Sequence, residues 1–190
     1  MYENNDEVDK PIRKEFNVFY NYEVEALFIF CQLDRAMPYE KVCRAFNKLK
    51  ENNLTNFTNL FNTPKDDVKK QLRIAGYRFP NQAVDYLYYN INKYTVKDLE
   101  NMTRDEIVEN CKGFGYKLAS MFYNRIHPED QKYAIIDVHV DRYLKQHGCK
   151  EKSYKKKEEF LRKLAMIQGK SLEVLDWEIW NTNRIGNRNK

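Results

Sequence analysis

Between Cys111 and Ser120 the sequence CKGFGYKLAS leaves the backbone few choices. Gly113 and Gly115, one residue apart, let the chain turn sharply without Cβ clashes, and YKLAS after them opens a helix. The peptide N–H groups of residues 113 to 117 then face outward at a helix N-terminus, an arrangement that favours an anion. Upstream, Thr103 followed three residues later by Glu106 is a capping box that starts the partner helix. Residues 104–126 are therefore predicted to form two short helices around a tight turn. Within them Lys117 is electrostatically out of place, because a cation in the first turn opposes the helix dipole, and its position calls for a functional reason. Twenty residues on, the apolar run AII delivers Asp137 to the start of VHVDRYL, where it reads as an N-cap.

The same punctuation runs along the rest of the chain, and strand signals are scarce. Val18 to Met37 carries Val24, Leu27, Phe28, Cys31 and Leu33 at helical spacing and predicts a buried first helix. Pro38 starts a second through Val42, Phe46 and Leu49, ended by ENNLTN. Thr63 is expected to cap a third, with Pro64 at its first position and Gly76 as its stop. Pro80 begins the next, through Ala83, Leu87 and Ile91. Asp137 opens the helix through Tyr143, Ser153 that of KKKEEFLRKLAMI, and Ser171 that of LEVLDWEIW. The reading is all-α, with about nine helices, no internal repeat and no low-complexity segment. Residues 1–15 are polar and are expected to be a loose arm, with residues 16–190 forming one domain. At 190 residues and 42% hydrophobic content, the chain can bury one sizeable core or two lobes sharing a cleft.

A net charge of +5 fits a protein that meets phosphate on one face without proving it. The four cysteines, Cys31, Cys43, Cys111 and Cys149, include no C-x-x-C pair, so no iron–sulfur cluster is expected, and they read as thiols of a reducing compartment. His127, His139 and His147 lack metal-ligand spacing, and no metal is expected. No apolar run approaches the ~20 residues of a membrane span, and MYENNDEVDK is too polar for a signal peptide, so an intracellular protein is expected.

GFGYKLAS together with AIIDVHV resembles the helix-hairpin-helix superfamily of DNA glycosylases, in its lysine-bearing branch. The wording around Lys117, and GYRFPNQA from Gly76 to Ala83, are most similar to the compact archaeal-type 8-oxoguanine DNA glycosylase/lyases, over roughly residues 18 to 183. The resemblance implies a two-lobed helical fold with a cleft between the lobes and the hairpin at 104–126. It implies a monomer acting on double-stranded DNA that carries a damaged or modified base, with no cofactor. Lys117 takes the place of the Schiff-base nucleophile and Asp137 that of the acid that completes the active site.

That chemistry makes further demands. A base inside a duplex must be flipped out at a cost of a few kcal/mol before its sugar can be attacked, so phosphates must be held beside the pocket. Lys112, Gly113, Phe114, Gly115, Tyr116, Ser120, His139 and Arg142 are the expected DNA contacts. Gln32, Asp34, Arg35, Arg78, Phe79, Trp177 and Trp180 are the expected base-pocket or void-filling side chains. The run KSYKKK, Lys152 to Lys157, reads as a solvated helix start. Attack at C1′ by the lysine and the imine that follows imply base removal with β-elimination, 8-oxoguanine being the favoured base. Asp34 and Arg35 depart from the asparagine-rich segment usual in this branch, which keeps open a bulkier substrate such as the glucosylated hydroxymethylcytosine of phage DNA, in a defence role. A noncatalytic hairpin module that only binds DNA is the third reading.

Overall fold

Apolar residues at helical spacing, punctuated by caps, produce all the regular structure among the described residues. The structure, a computed structural model, describes residues 23–130 and 132–186, so the expected N-terminal arm and the start of the predicted first helix lie outside the described residues. Among the described residues there are eleven helices and no strand. They divide into two compact units at Ile126 and His127.

The first unit holds α1 (Val24–Leu33), α2 (Tyr39–Glu51), α3 (Phe57–Asn62), α4 (Lys65–Ile74), α5 (Pro80–Lys93), α6 (Val96–Asn101), α7 (Arg104–Asn110) and α8 (Tyr116–Ile126). Helix α1 is apolar nearly all round, and Ala26 to Leu33 are all buried, because α2, α5 and α8 pack against it. Phe28 is its hub: its ring stacks on Phe114 at 4.7 Å and meets Phe57 and Phe122 edge-on at 5.8 and 5.4 Å. At the end of α4, Gly76 adopts φ +73° and Tyr77 N–H returns to Leu72 O at 2.9 Å, the glycine stop that the sequence announces. The Tyr77 hydroxyl then donates to Leu33 O at 2.8 Å and ties α4 to the end of α1. Burial is the main cause of its phenol pKa rising to about 12.

Two helices beyond the nine expected, α3 and α6, are six residues long each and too short to show a period. Local hydrogen bonds make them: the Asn56 side chain accepts from Asn59 N–H at 2.8 Å, and Thr95 and Asp98 form a capping box. Thr63 does not cap α4. It closes α3, donating its hydroxyl to Asn59 O at 2.7 Å, while Pro64 takes the cap position and α4 begins at Lys65.

The second unit holds α9 (Val138–Gln146), α10 (Tyr154–Ile167) and α11 (Leu172–Gly186) around Ala134, Ile136, Val140, Leu144, Leu161, Ala165, Leu175 and Ile179. Ser171 caps α11 through a 3.2 Å bond from Val174 N–H, whereas Ser153 stands at the cap of α10 without a side-chain bond. In the basic run, Lys157 pairs with Asp141 and Lys156 with Glu151 at 3.8 Å, so both are engaged within the unit.

Replacing Phe114 by alanine removes the ring stacked on Phe28 and is expected to lower unfolding stability by about 3–5 kcal/mol. Urea unfolding followed by circular dichroism measures this, and a loss below about 1 kcal/mol would show that the hairpin is not anchored through that ring.

Candidate active site

In the first unit, Thr103 and Glu106 start α7 as a reciprocal capping box, with Thr103 N–H on Glu106 Oε2 at 2.8 Å. After α7 the chain turns through Gly113 at φ +85°, with Phe114 N–H on Cys111 O at 3.2 Å, and Gly115 O accepts the first bond of α8 from Ala119 N–H at 3.0 Å. The first N–H groups of α8 have no acceptor within the helix, as at any helix start.

The turn is gripped from behind by Asn90 of α5, which is 1% exposed. Its Oδ1 accepts Lys112 N–H at 2.9 Å, and its Nδ2 donates to Lys112 O at 3.0 Å and to Gln32 Oε1 at 2.9 Å. Sequence reasoning missed Asn90; its one local signal is an amide among the apolar positions of α5. The two glycines differ sharply. A Cβ on Gly113 would lie 2.5 Å from both Gln32 Nε2 and Tyr86 Cδ2, whereas one on Gly115 meets nothing of this chain within 4 Å.

Three of the expected site residues, Phe114, Ser120 and the expected void-filling Gln32, are buried. Phe114 belongs to the core around Phe28, Ser120 is wholly buried on the inner face of α8, and Gln32 is wholly buried against Asn90. Enclosed side chains cannot reach a ligand without unpacking the unit. Tyr116 is half-buried under the Arg104 guanidinium, 5.1 Å from its ring, and Lys112 is exposed with Nζ 4.0 Å above the Tyr89 ring.

Lys117 Nζ lies 2.6 Å from Asp34 Oδ2, their side chains 31% and 14% exposed. Asp34 caps the C-terminus of α1, its N–H bonded to Phe30 O and Cys31 O. The acid that departs from the expected asparagine-rich segment is thus the partner of the lysine. Neighbouring Cys31 is pushed far up, first by burial and then by the Asp34 charge, so it stays a thiol and is no rival nucleophile. Arg35 turns its guanidinium over the Tyr86 ring at 4.8 Å, and exposed Arg78 lies 5.0 Å over Phe79.

In the second unit, Asp137 caps α9 as expected, its Oδ1 accepting N–H from His139 at 2.8 Å and Val140 at 2.9 Å. Its Oδ2 has no partner among the described residues. His139 is half-buried, and its Nδ1 is enclosed with no hydrogen bond to any described residue. Arg142 is exposed one turn further on, and Trp177 and Trp180 of α11 are half-buried. Among the described residues no group of three or more His, Cys, Asp and Glu side chains could hold a metal ion, and no helix is long and apolar enough to cross a membrane.

A family model described as 8-oxoguanine DNA glycosylase matches residues 12–169. The 8-oxoguanine DNA glycosylase/AP lyase of Thermotoga petrophila is 33% identical over 130 residues, and the match spans 62% of this chain and 62% of that relative's length. The protein of that name from Methanocaldococcus jannaschii is 28% identical over 192 residues, 92% of this chain and 88% of the relative. Among solved structures, the Thermotoga maritima 8-oxoguanine DNA glycosylase superposes with TM-score 0.71 at 28% identity, covering 92% of this chain and 89% of that one. The Methanocaldococcus jannaschii glycosylase/lyase in complex with a 15mer DNA containing 8-oxoguanine superposes with TM-score 0.73 at 27% identity, covering 94% and 90%.

Gly113→Ala is expected to cost about 1–3 kcal/mol of unfolding stability, from the positive φ and the clash with Tyr86, while Gly115→Ala stays within about 1 kcal/mol of the parent. Parallel urea titrations check the contrast, and equal losses would mean that both glycines serve the fold.

Proposed function

This chain belongs to the 8-oxoguanine DNA glycosylase family, and we propose that it flips a damaged base, 8-oxoguanine, out of double-stranded DNA and excises it through a lysine Schiff base. The observation that carries the reading is the placement of Lys117 in the first turn of α8, directly after the glycine turn and held by the Asp34 carboxylate. An amine there serves no purpose for the helix, and base removal with strand scission needs one.

The reaction runs as follows. The ammonium of Lys117 gives up its proton and the free amine attacks C1′ of the flipped nucleotide; the C1′–N bond breaks, and the base leaves with the electron pair and takes a proton. Opening of the sugar ring gives an imine between Nζ and C1′. Loss of a C2′ proton then expels the 3′ phosphate by β-elimination, and water hydrolyses the imine to release the lysine. Asp137, its Oδ1 fixed by two backbone amides, offers Oδ2 to the positive charge that develops on the sugar. The amides of Gly113 and of residues 115–117 hold a phosphate, and the open space around Gly115 leaves room for it. Lys112, Tyr116, His139 and Arg142 are proposed as further DNA contacts, and Arg35, Arg78, Phe79, Trp177 and Trp180 as candidates for the base pocket. Asp34, engaged with Lys117, no longer argues for a bulkier substrate. The protein is proposed to act as a monomer, inside the cell with the DNA, and without a cofactor.

Duplexes carrying 8-oxoguanine, thymine glycol, uracil or glucosylated hydroxymethylcytosine, scored separately for base release and nicking, test this reading. Release and nicking at 8-oxoguanine are expected; binding without release from any duplex would leave only a DNA-binding module. Asp137→Asn is expected to slow single-turnover excision at least ~100-fold with little change in DNA affinity. Gly115→Ala, whose added Cβ meets nothing of this chain within 4 Å, is expected to weaken binding to damaged and undamaged duplex alike, because phosphate contacts carry no sequence information.

A further inference from the structure

The segment that delivers Asp137 to its place, Lys132 to Ile136, is neither helix nor strand. Ala134 and Ile136 are nonetheless buried, and buried backbone N–H and C=O groups need partners. Helix α10 supplies them from one face, with three side chains spaced four residues apart. Arg162 Nη2 donates to Lys132 O at 2.6 Å. Glu158 Oε1 accepts Ala134 N–H at 2.7 Å. The Tyr154 hydroxyl uses both its capacities, donating to Ala134 O at 2.8 Å and accepting Ile136 N–H at 2.9 Å. The next amide, Asp137 N–H, closes on Ile135 O at 3.1 Å, and the two after Val138 close on Asp137 Oδ1. The column stands in for a neighbouring strand.

For a stable core alone this is a costly design. Glu158 is only 6% exposed beside a core of buried apolar residues, and an apolar side chain would fill the space without the desolvation penalty. What the polar column gains is registration: α10 holds Ala134 at both N and O and Ile136 at N, and so fixes the backbone that leads into the Asp137 cap and its free Oδ2.

We propose that Tyr154 and Glu158 are positioning residues for the Asp137 carboxylate, a role that rests on the reading of Asp137 as the catalytic acid. They touch no substrate and act through the backbone of residues 134–136. A displacement near 1 Å at a reacting group can cost about 100-fold in rate, so loosening this column lowers turnover before it lowers affinity.

Tyr154→Phe keeps the ring and removes both hydrogen bonds; single-turnover excision from an 8-oxoguanine duplex is expected to slow about 10-fold while the Kd changes less than about 2-fold. Glu158→Gln retains an acceptor for Ala134 N–H and is expected to stay within about 3-fold of the parent, and Glu158→Ala to fall with Tyr154→Phe. The deciding step is the double-mutant cycle: in an Asp137→Asn background, Tyr154→Phe should change the rate by less than about 2-fold, because the group it aims has lost its charge. If Asp137→Asn alone leaves the rate intact, the catalytic reading of Asp137 fails and the proposal with it. If Asp137→Asn is slow but Tyr154→Phe is not, or the two losses multiply, the positioning role is overturned and that reading survives. Should Glu158→Ala not fold, Tyr154→Phe and Glu158→Gln decide the matter.

Discussion

The 2.6 Å contact between Lys117 and Asp34 joins two helix ends, each carrying the wrong charge for its dipole. Asp34 sits at the C-terminus of α1, where a cation is favoured, and Lys117 at the N-terminus of α8, where an anion is. Alone, each is unfavourable; together they cancel. The pair also defines the resting state of the amine, since an ammonium bonded to a carboxylate is no nucleophile and must be released to react. Cys31 beneath it is kept inert by its own burial. In this arrangement one lysine is stored, oriented and isolated by its immediate neighbours.

The hairpin that carries the lysine is made rigid from inside. Asn90 holds both backbone groups of Lys112, Phe114 is stacked on Phe28, and Gly113 fits against Gln32 and Tyr86 with no room for a Cβ. Of the two hairpin glycines, Gly115 is the one that the chain itself does not require. A turn with three internal constraints and one open side suits amides that must keep their aim when a phosphate arrives. The Asp137 segment follows the same logic with different means: a tyrosine, a glutamate and an arginine of α10 replace the strand partner that an all-helical unit lacks.

What could be read from the sequence was local. Thr103 with Glu106, Pro80, the Gly76 stop and the Asp137 cap were visible because the residues that form each signal lie within a few positions of one another. Pairings over long separations left no such trace. Asp34 and Lys117 are 83 residues apart, Asn90 and Lys112 are 22 apart, and Tyr154 sits inside, and Glu158 directly after, a basic run whose charge pattern reads as solvated. Phe114, Ser120 and Gln32 show the same limit: the motif gives their place along the chain but not which side of the turn is packed. The number of helices fell short by the two six-residue ones, whose caps, Asn56 and Thr95 with Asp98, are the whole of their signal.

Covalent capture of the amine separates a Schiff base at Lys117 from every other chemistry. Borohydride added while the protein turns over an 8-oxoguanine duplex reduces an imine to a stable secondary amine, and peptide mass mapping locates it. A single adduct at Lys117 is expected, one that disappears in Lys117→Gln although that variant still binds the duplex. An adduct that persists in Lys117→Gln, or one mapped to another lysine, would contradict a Schiff base at Lys117.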